Sequence, residues 1–218
     1  MTDYEGLKKA VADYLGWDAG GEIEEYLPEI IRMAEVRMQR DARLRVMERT
    51  GWRNTIPGET DVWLPDKRIP GDWDAYLSMR EVCLQGQPNV NIAYASPDVF
   101  TDYSSFKGRP TVYTVTGRSL RLAPVPDKEY KILLTYYAEI PPLGEEQPTN
   151  EVLLSYPDLY LYACLTESVP LLRSSVPLEN WLAMYREALG KANESDSEAR
   201  FAGQLSIRAP RSNWRIRL

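Results

Sequence analysis

The chain has 218 residues, of which 44% are hydrophobic and 27% charged, so it can bury a core without disulfides or metals. It has no histidine, which excludes Ser-His-Asp and Cys-His nucleophile pairs and every metal site with a histidine ligand. The net charge is −6, but residues 201–218 hold four arginines and no acid, so residues 1–200 carry 22 basic and 32 acidic side chains. An acidic body of charge −10 therefore precedes a basic tail of charge +4.

Two helices are predicted at the start of the chain. Apolar residues recur at helical spacing from Tyr4 to Leu15, behind Thr2 as the expected capping residue. A second helix has Pro28 in its first turn and an apolar stripe along one side. Its other side is expected to face solvent and carries Arg32, Glu35, Arg37, Arg40, Asp41 and Arg43.

From about Arg45 the pattern changes to short β segments separated by prolines and glycines. The clearest strands are residues 76–84 and 130–138, and residues 111–122 form a hairpin pattern around Gly117. Ser96 and Pro97 predict one or two helical turns between these strands, up to Tyr103. Residues 45–145 therefore read as an inserted antiparallel β module.

Helical patterns resume after Asn150. Residues 158–172 are apolar nearly all round, which is typical of a central buried helix, and a last helix places apolar residues on one face from Leu178 to Ala192. The predicted fold class is α+β. We expect a helical bundle from residues 1–44 and 146–202, the β module over 45–145, and an extended arm over 203–218.

Neither cysteine suggests a redox or metal function. Cys83 and Cys164 lie in apolar surroundings without CxxC spacing, and no secretory signal or membrane span is present. We interpret both as reduced core residues of a soluble protein made in a cytosol.

Motifs for nucleotide binding or hydrolysis are absent, since the sequence holds no GxGxxG, GxxxxGK[ST], GxSxG or HExxH pattern. One acidic segment could hold a divalent cation or form a sugar-cleaving pair of carboxylates. The alternative, which we favour, is a turn region in which aspartate supports tight turns. The segment consists of Asp61, Asp66, Asp72 and Asp74 with Trp63 and Trp73. We predict no catalytic residue, cofactor or metal.

The basic tail is the most informative feature. From Leu205 onward apolar residues are interleaved with arginines, and Trp214 to Leu218 alternate as in a strand. A chain end that stays in solvent gains nothing from exposed tryptophan and isoleucine. We favour an arm that becomes ordered on a partner, in a groove or at a sheet edge. Its predicted contact residues are Ile207, Arg208, Arg211, Trp214, Arg215, Ile216, Arg217 and Leu218.

The order of these segments resembles the head-to-tail adaptor, or connector, proteins of short-tailed bacteriophages. No single segment is a catalytic signature, and the resemblance rests on their succession along most of the chain. The matching segments are Tyr4–Leu15, Ile30–Asp41, Leu64–Pro65, Leu122–Pro126, Leu134–Leu143, Pro157–Ala163, the positions Trp181, Tyr185, Ala188 and Leu189, and Ala199–Phe201. The sequence departs from the pattern at Gly16–Gly21 and Pro70–Asp74.

This resemblance implies a non-enzymatic virion protein at the junction of capsid and tail, made in the host cytoplasm. Its subunits would form a ring, usually of twelve, beneath the portal, offer a platform to a tail or nozzle protein, and let DNA pass without sequence-specific binding or contact with a membrane. The arm would reach the portal, and the arginines between positions 32 and 43 would pair with acids on the neighbouring subunit. The alternatives are another neck or tail component, such as a nozzle or completion protein, and a carboxylate-dependent hydrolase.

Overall fold

Helices from both ends of the chain enclose one core, and strands from its middle enclose another. The computed structural model describes residues 1–16, 22–66, 74–103, 106–172 and 177–200, so the predicted arm lies outside the described residues. The combination of helices and mixed sheets confirms the predicted α+β class. The helices are α1 (Tyr4–Leu15), α2 (Leu27–Asp41), α3 (Pro97–Tyr103), α4 (Glu151–Ser155), α5 (Pro157–Leu172) and α6 (Leu178–Arg200), with 3-10 turns at Glu22–Glu25 and Arg45–Met47.

Helix α1 begins and ends on identifiable caps. The expectation that Thr2 caps it was wrong, because the residue directly before the helix is Asp3, whose Oδ1 accepts the Gly6 N–H at 2.8 Å. At the other end Gly16 has φ 72° and donates its N–H to Ala12 and Asp13. This left-handed conformation suits glycine and stops the helix.

Helix α5 is the centre of the helical core, as its apolar sequence predicts. Leu159, Tyr160, Cys164 and Leu165 are fully buried. Helices α1, α2 and α6 all pack against α5, each through the apolar stripe found in its sequence. The result is a core in which one largely apolar helix is surrounded by amphipathic ones.

The strands form two four-stranded sheets and one short pair. The first sheet has the order β1-β10-β3-β4, the second β2-β8-β7-β5, and β6 pairs with β9. The strands are β1 (Glu48–Asn54), β2 (Asp61–Trp63), β3 (Tyr76–Leu84), β4 (Val90–Asn91), β5 (Ala93–Tyr94), β6 (Lys107–Gly108), β7 (Val112–Thr116), β8 (Ser119–Ala123), β9 (Val125–Pro126) and β10 (Lys131–Ala138).

The first sheet is antiparallel as predicted, whereas the second sheet is mixed and the short pair is parallel. The hairpin β7–β8 is confirmed and turns at Gly117, which has φ 58°. However, β5 pairs with β7 and β6 with β9 in parallel. Parallel neighbours need a long crossover, and the segment holding α3 supplies one between β5 and β7.

A second core lies between the two large sheets. Val62, Leu120 and Leu122 from the second sheet pack with Val82 and Leu134 from the first. Strand β10 contributes to both cores, since Tyr136 belongs to the core between the sheets and Tyr137 to the helical core. The β part is therefore joined to the helices through the end of β10.

Helix α6 runs to Arg200, beyond Ala192, the last apolar position named on its predicted face. Asp196, in its last turns, is buried. It accepts a hydrogen bond from the Arg45 backbone N–H and another, at 2.5 Å, from the Tyr156 hydroxyl. Burial and the neighbouring Asp196 carboxylate raise the pKa of Tyr156 to about 12.

Candidate interaction surfaces

The polar side of α2 is not uniform, although its sequence predicted one solvent-facing surface. Arg32 lies in solvent and pairs with Glu29 on the same helix, with 2.8 Å between its Nε and the carboxylate. Arg40 is also exposed and has no hydrogen bond or ion pair with any residue that the structure describes. Of the predicted positions on this helix, Arg40 is the cation best placed to receive an outside partner.

Two further predicted positions are engaged with neighbouring helices. Arg37 forms an ion pair with Glu167 of α5, and its guanidinium lies 5.9 Å from the centre of the Tyr185 ring of α6. Tyr185 in turn donates its hydroxyl hydrogen to Asp41 at 3.0 Å. Burial and the Asp41 carboxylate raise the pKa of Tyr185 above its ordinary value. These contacts fix the C-terminal half of α2 against α5 and α6.

Glu35 does not face solvent, and the expectation that it shares the outer surface with the arginines was wrong. Its side chain is only 4% exposed. One carboxylate oxygen accepts the Leu143 N–H at 2.8 Å and the Tyr160 hydroxyl at 2.7 Å. Tyr160 also accepts a hydrogen bond of 3.0 Å from the Asn150 side chain, which caps α4. Glu35 is therefore part of a buried polar network and cannot reach a neighbouring subunit.

Burial dominates the electrostatics of this network. It raises the pKa of Glu35 because removal from water disfavours the charged form, while the hydrogen bonds from Leu143 and Tyr160 oppose the rise. No ion pair to Glu35 is present among the described residues. A carboxylate in this position is stabilised by hydrogen bonds alone.

Arg43 is also used inside the chain. Its Nε donates to the Ser78 hydroxyl of β3 at 2.9 Å, and its Nη1 donates to the carbonyls of Gln39 and Ala42. Gln39 donates to the Ile140 carbonyl at 3.4 Å. Polar contacts thus connect three positions spaced four residues apart, Glu35, Gln39 and Arg43, with the strand β3 and the segment after β10.

A groove runs between α2 and α5, with a cavity of about 190 Å³. We call it the α2–α5 groove. It is lined by Met33, Val36, Arg37, Arg40, Asp41 and Glu167. The charges of Arg37 and Glu167 offset each other, which leaves two apolar side chains, the guanidinium of Arg40 and the Asp41 carboxylate that accepts the Tyr185 hydroxyl.

Large apolar side chains are exposed around α3, on the β part. Val99 and Tyr103 lie one turn apart and are 48% and 43% exposed, and Phe106 just beyond the helix is 67% exposed. Helix α3 also carries Asp98 and Asp102 and has no basic residue. We call these five residues the α3 patch.

The described aspartates of the acidic segment do not assemble into a site. Asp61 accepts a hydrogen bond from Ser119, Asp66 pairs with Arg118 at 2.7 Å, and Asp74 lies 3.5 Å from Arg49. Asp72 and Trp73 lie outside the described residues. In the described parts of the chain, no group of three or more acidic or cysteine side chains could hold a metal ion.

The sequence model of the family described as SU10 adaptor protein matches residues 2–208. The chain belongs to this family. As an SU10 adaptor, it is a structural protein of a bacteriophage and a virion component that interacts with other virion proteins. No curated protein matches the chain.

None of the helices in the described ranges combines the length and the apolar character needed to cross a bilayer. Two of the exposed surfaces, Arg40 in the α2–α5 groove and the α3 patch, have features of protein interfaces. The predicted contact residues of the arm lie outside the described residues.

Proposed function

We propose that the chain is a head-to-tail adaptor that forms a ring, of twelve subunits, beneath the portal of a short-tailed bacteriophage. The ring joins the capsid to a tail or nozzle protein, lets DNA pass and has no enzymatic activity. The observation that carries the proposal is the family match over residues 2–208, which covers nearly the whole chain. The negative net charge of residues 1–200 supports the proposal. A channel built from an acidic protein has few cations that would bind the phosphates of the passing DNA.

Contact between subunits is proposed for the part of α2 that remains accessible. Arg32 and Arg40 are exposed, whereas Glu35 is buried and Arg43 is engaged with the β part. Arg37 and Asp41 line the groove and are engaged within the subunit, with Glu167 and Tyr185. We therefore restrict the predicted pairing with acids on the neighbouring subunit to Arg32 and Arg40. Such pairs fix the register between subunits more than they raise the affinity.

Contact with the portal is proposed for the arm, from Ile207 to Leu218. Its alternating arginines and apolar residues suit a groove or a sheet edge of another protein. Twelve arms on one ring gain avidity far beyond the affinity of a single arm. The subunit is made in the host cytoplasm and works at the junction of capsid and tail.

Deletion of residues 205–218 tests the arm. We expect the truncated protein to lose co-sedimentation with portal rings while its own thermal unfolding is unchanged. A variant with glutamine at the four arginines of the arm separates charge from apolar contact. Undiminished binding of the deletion variant would remove the arm from the proposal.

Electron microscopy of the purified protein, alone and with portal rings, tests the adaptor role. Twelve-fold rings that stack on the portal support it. Six-fold or monomeric behaviour supports the alternative of a nozzle or completion protein. Metal-dependent nuclease or glycosidase turnover that is abolished by Asp72→Asn and Asp74→Asn would instead establish a hydrolase.

A further inference from the structure

We propose that the α3 patch of one subunit docks into the α2–α5 groove of the next subunit, with Asp102 facing Arg40. The inference rests on the proposed ring and names the two surfaces that close it. Both surfaces belong to the same chain, but one is on the helical part and the other is on the β part. A closed ring requires such a heterologous contact, in which one surface of a subunit binds a different surface of the next.

The groove supplies a partly apolar receptor with one arginine, Arg40, that is in no ion pair with the described residues. Met33, Val36, Arg37 and Arg40 follow one another at helical spacing along the same side of α2. Met33 is 37% exposed, although it is a large apolar residue in the middle of a helix. At about 190 Å³ the cavity is smaller than the pockets that hold small molecules, and its size suits single side chains of a partner.

Arg40 is the group of the groove that favours an acidic partner. Arg37 forms an ion pair with Glu167, and Asp41 accepts a hydrogen bond from the neutral Tyr185 hydroxyl. The four charged side chains of the lining sum to zero, and Arg40 is the cation that has no partner among the described residues. A carboxylate of the partner can therefore pair with Arg40.

The α3 patch is complementary in both respects. It presents two carboxylates, neither of which has a side-chain partner in the part of the chain that the structure describes. Beside them stand Val99, Tyr103 and Phe106, so that apolar side chains meet Met33 and Val36 while a carboxylate meets Arg40. Aromatic residues with few charges at the centre are typical of protein interfaces.

The patch is held rigidly enough to act as a unit. On its inner side Phe100 is buried against Ala95 and Ala123, and the guanidinium of Arg121 lies 5.5 Å from the centre of the Phe100 ring. The outer residues of α3 are thereby fixed relative to the second sheet. A preformed surface loses less conformational entropy when it docks.

Charge reversal on the two sides tests the contact in the full-length protein. Arg40→Asp and Asp102→Arg should each raise the concentration needed for half-assembly by at least about tenfold, because like charges then face each other. The double variant restores an opposite pair and should return assembly to near the wild-type concentration. Sedimentation velocity and electron microscopy report the fraction in rings.

Matched controls use the same charge changes on α1, away from both surfaces. Lys9→Asp and Asp13→Arg alter exposed residues and should leave assembly unchanged. Phe106→Ser removes an exposed apolar side chain without a charge change and should also weaken assembly. Thermal unfolding of every variant should match that of the wild type, since all the substituted side chains lie on the surface.

The outcomes separate this inference from the proposed function. If the wild type forms no ring with or without portal, the adaptor proposal fails. If the wild type forms rings and both single reversals still do so, or if the double variant is not restored, the contact between the α3 patch and the α2–α5 groove is overturned.

Discussion

Replacing Glu35 would test how a buried carboxylate is tolerated between the helices and the β part. Glu35→Ala removes the acceptor of two hydrogen bonds, from the Leu143 N–H and the Tyr160 hydroxyl. Glu35→Gln keeps an acceptor oxygen at the same place and removes the charge. The pair of variants therefore separates hydrogen bonding from burial of charge.

The expected magnitudes follow from the contacts. A buried donor that loses its acceptor costs about 1–3 kcal/mol, and Glu35→Ala leaves two, so we expect a loss of about 2–4 kcal/mol in the free energy of unfolding. Glu35→Gln should equal or exceed the wild type at pH 7.5, since no ion pair of the described residues offsets the buried charge.

The pH dependence has a definite sign. Burial raises the pKa of Glu35 in the folded state above its unfolded value of about 4.3, so the folded wild type binds more protons. Its stability contribution is complete below the unfolded pKa and is lost as the pH rises through the folded pKa. The advantage of Glu35→Gln over the wild type should therefore grow from pH 4 to pH 7.5.

Urea unfolding of the three proteins at pH 4 and pH 7.5, followed by circular dichroism, measures these differences. Equal slopes of free energy against urea would show that the compared states are alike. A wild type more stable than Glu35→Gln by over about 1 kcal/mol at pH 7.5, or a difference independent of pH, would refute the reasoning.

Two further predictions concern buried hydroxyl and thiol groups. Tyr156→Phe removes the hydrogen bond to the buried Asp196 and should lower the free energy of unfolding in urea by about 1.5–3 kcal/mol. Tyr130→Phe removes the exposed hydrogen bond to Asp127 and should lower it by less than about 0.5 kcal/mol. Equal losses in the two variants would contradict this. Burial raises the pKa of both thiols, but Cys164 is fully buried while Cys83 is partly exposed, so a thiol reagent should label only Cys83 before urea is added and both after. Rapid labelling of Cys164 in the native protein would show that α5 is not a closed core.

Much of the fold is predictable because its signals are local. The periodicity of α1 and α2, the largely apolar sequence of α5 and the hairpin around Gly117 can each be read from a few neighbouring residues. The prediction of α3 from Ser96 and Pro97 to Tyr103 agrees with the structure for the same reason. Cys164 is in the core as predicted, whereas Cys83 lies on the half-covered outer side of β3.

The error at Glu35 arises because contacts between distant parts of the chain determine which side chains are buried. Glu35 lies within one helical turn of Ile31 and Met38, so its angular position indicated the buried side, but its polarity led to the opposite expectation. Its acceptor role depends on Tyr160 and Leu143, over one hundred residues away. The last turns of α6 also make a contact that is distant in sequence, from Asp196 to the Arg45 backbone N–H.

The candidate surfaces were only partly predictable. Arg40 was identified from its place on an amphipathic helix, and the structure leaves it accessible. The α3 patch was not identified, because a short helix with two aspartates reads as an ordinary solvent-facing turn. Its apolar residues stand out only when Phe100 is seen to occupy the buried side of the same helix.

Strand β10 has a consequence for how the protein can be divided. Its last residues Tyr136, Tyr137 and Ala138 are buried in succession, with Tyr137 in the helical core and the other two in the core between the sheets. A fragment that ends with the β part would expose Tyr137, and the helices alone would lose a side chain that fills their core. The two cores are therefore expected to melt as one cooperative unit, and an excised β fragment would not be a faithful substitute for the whole subunit.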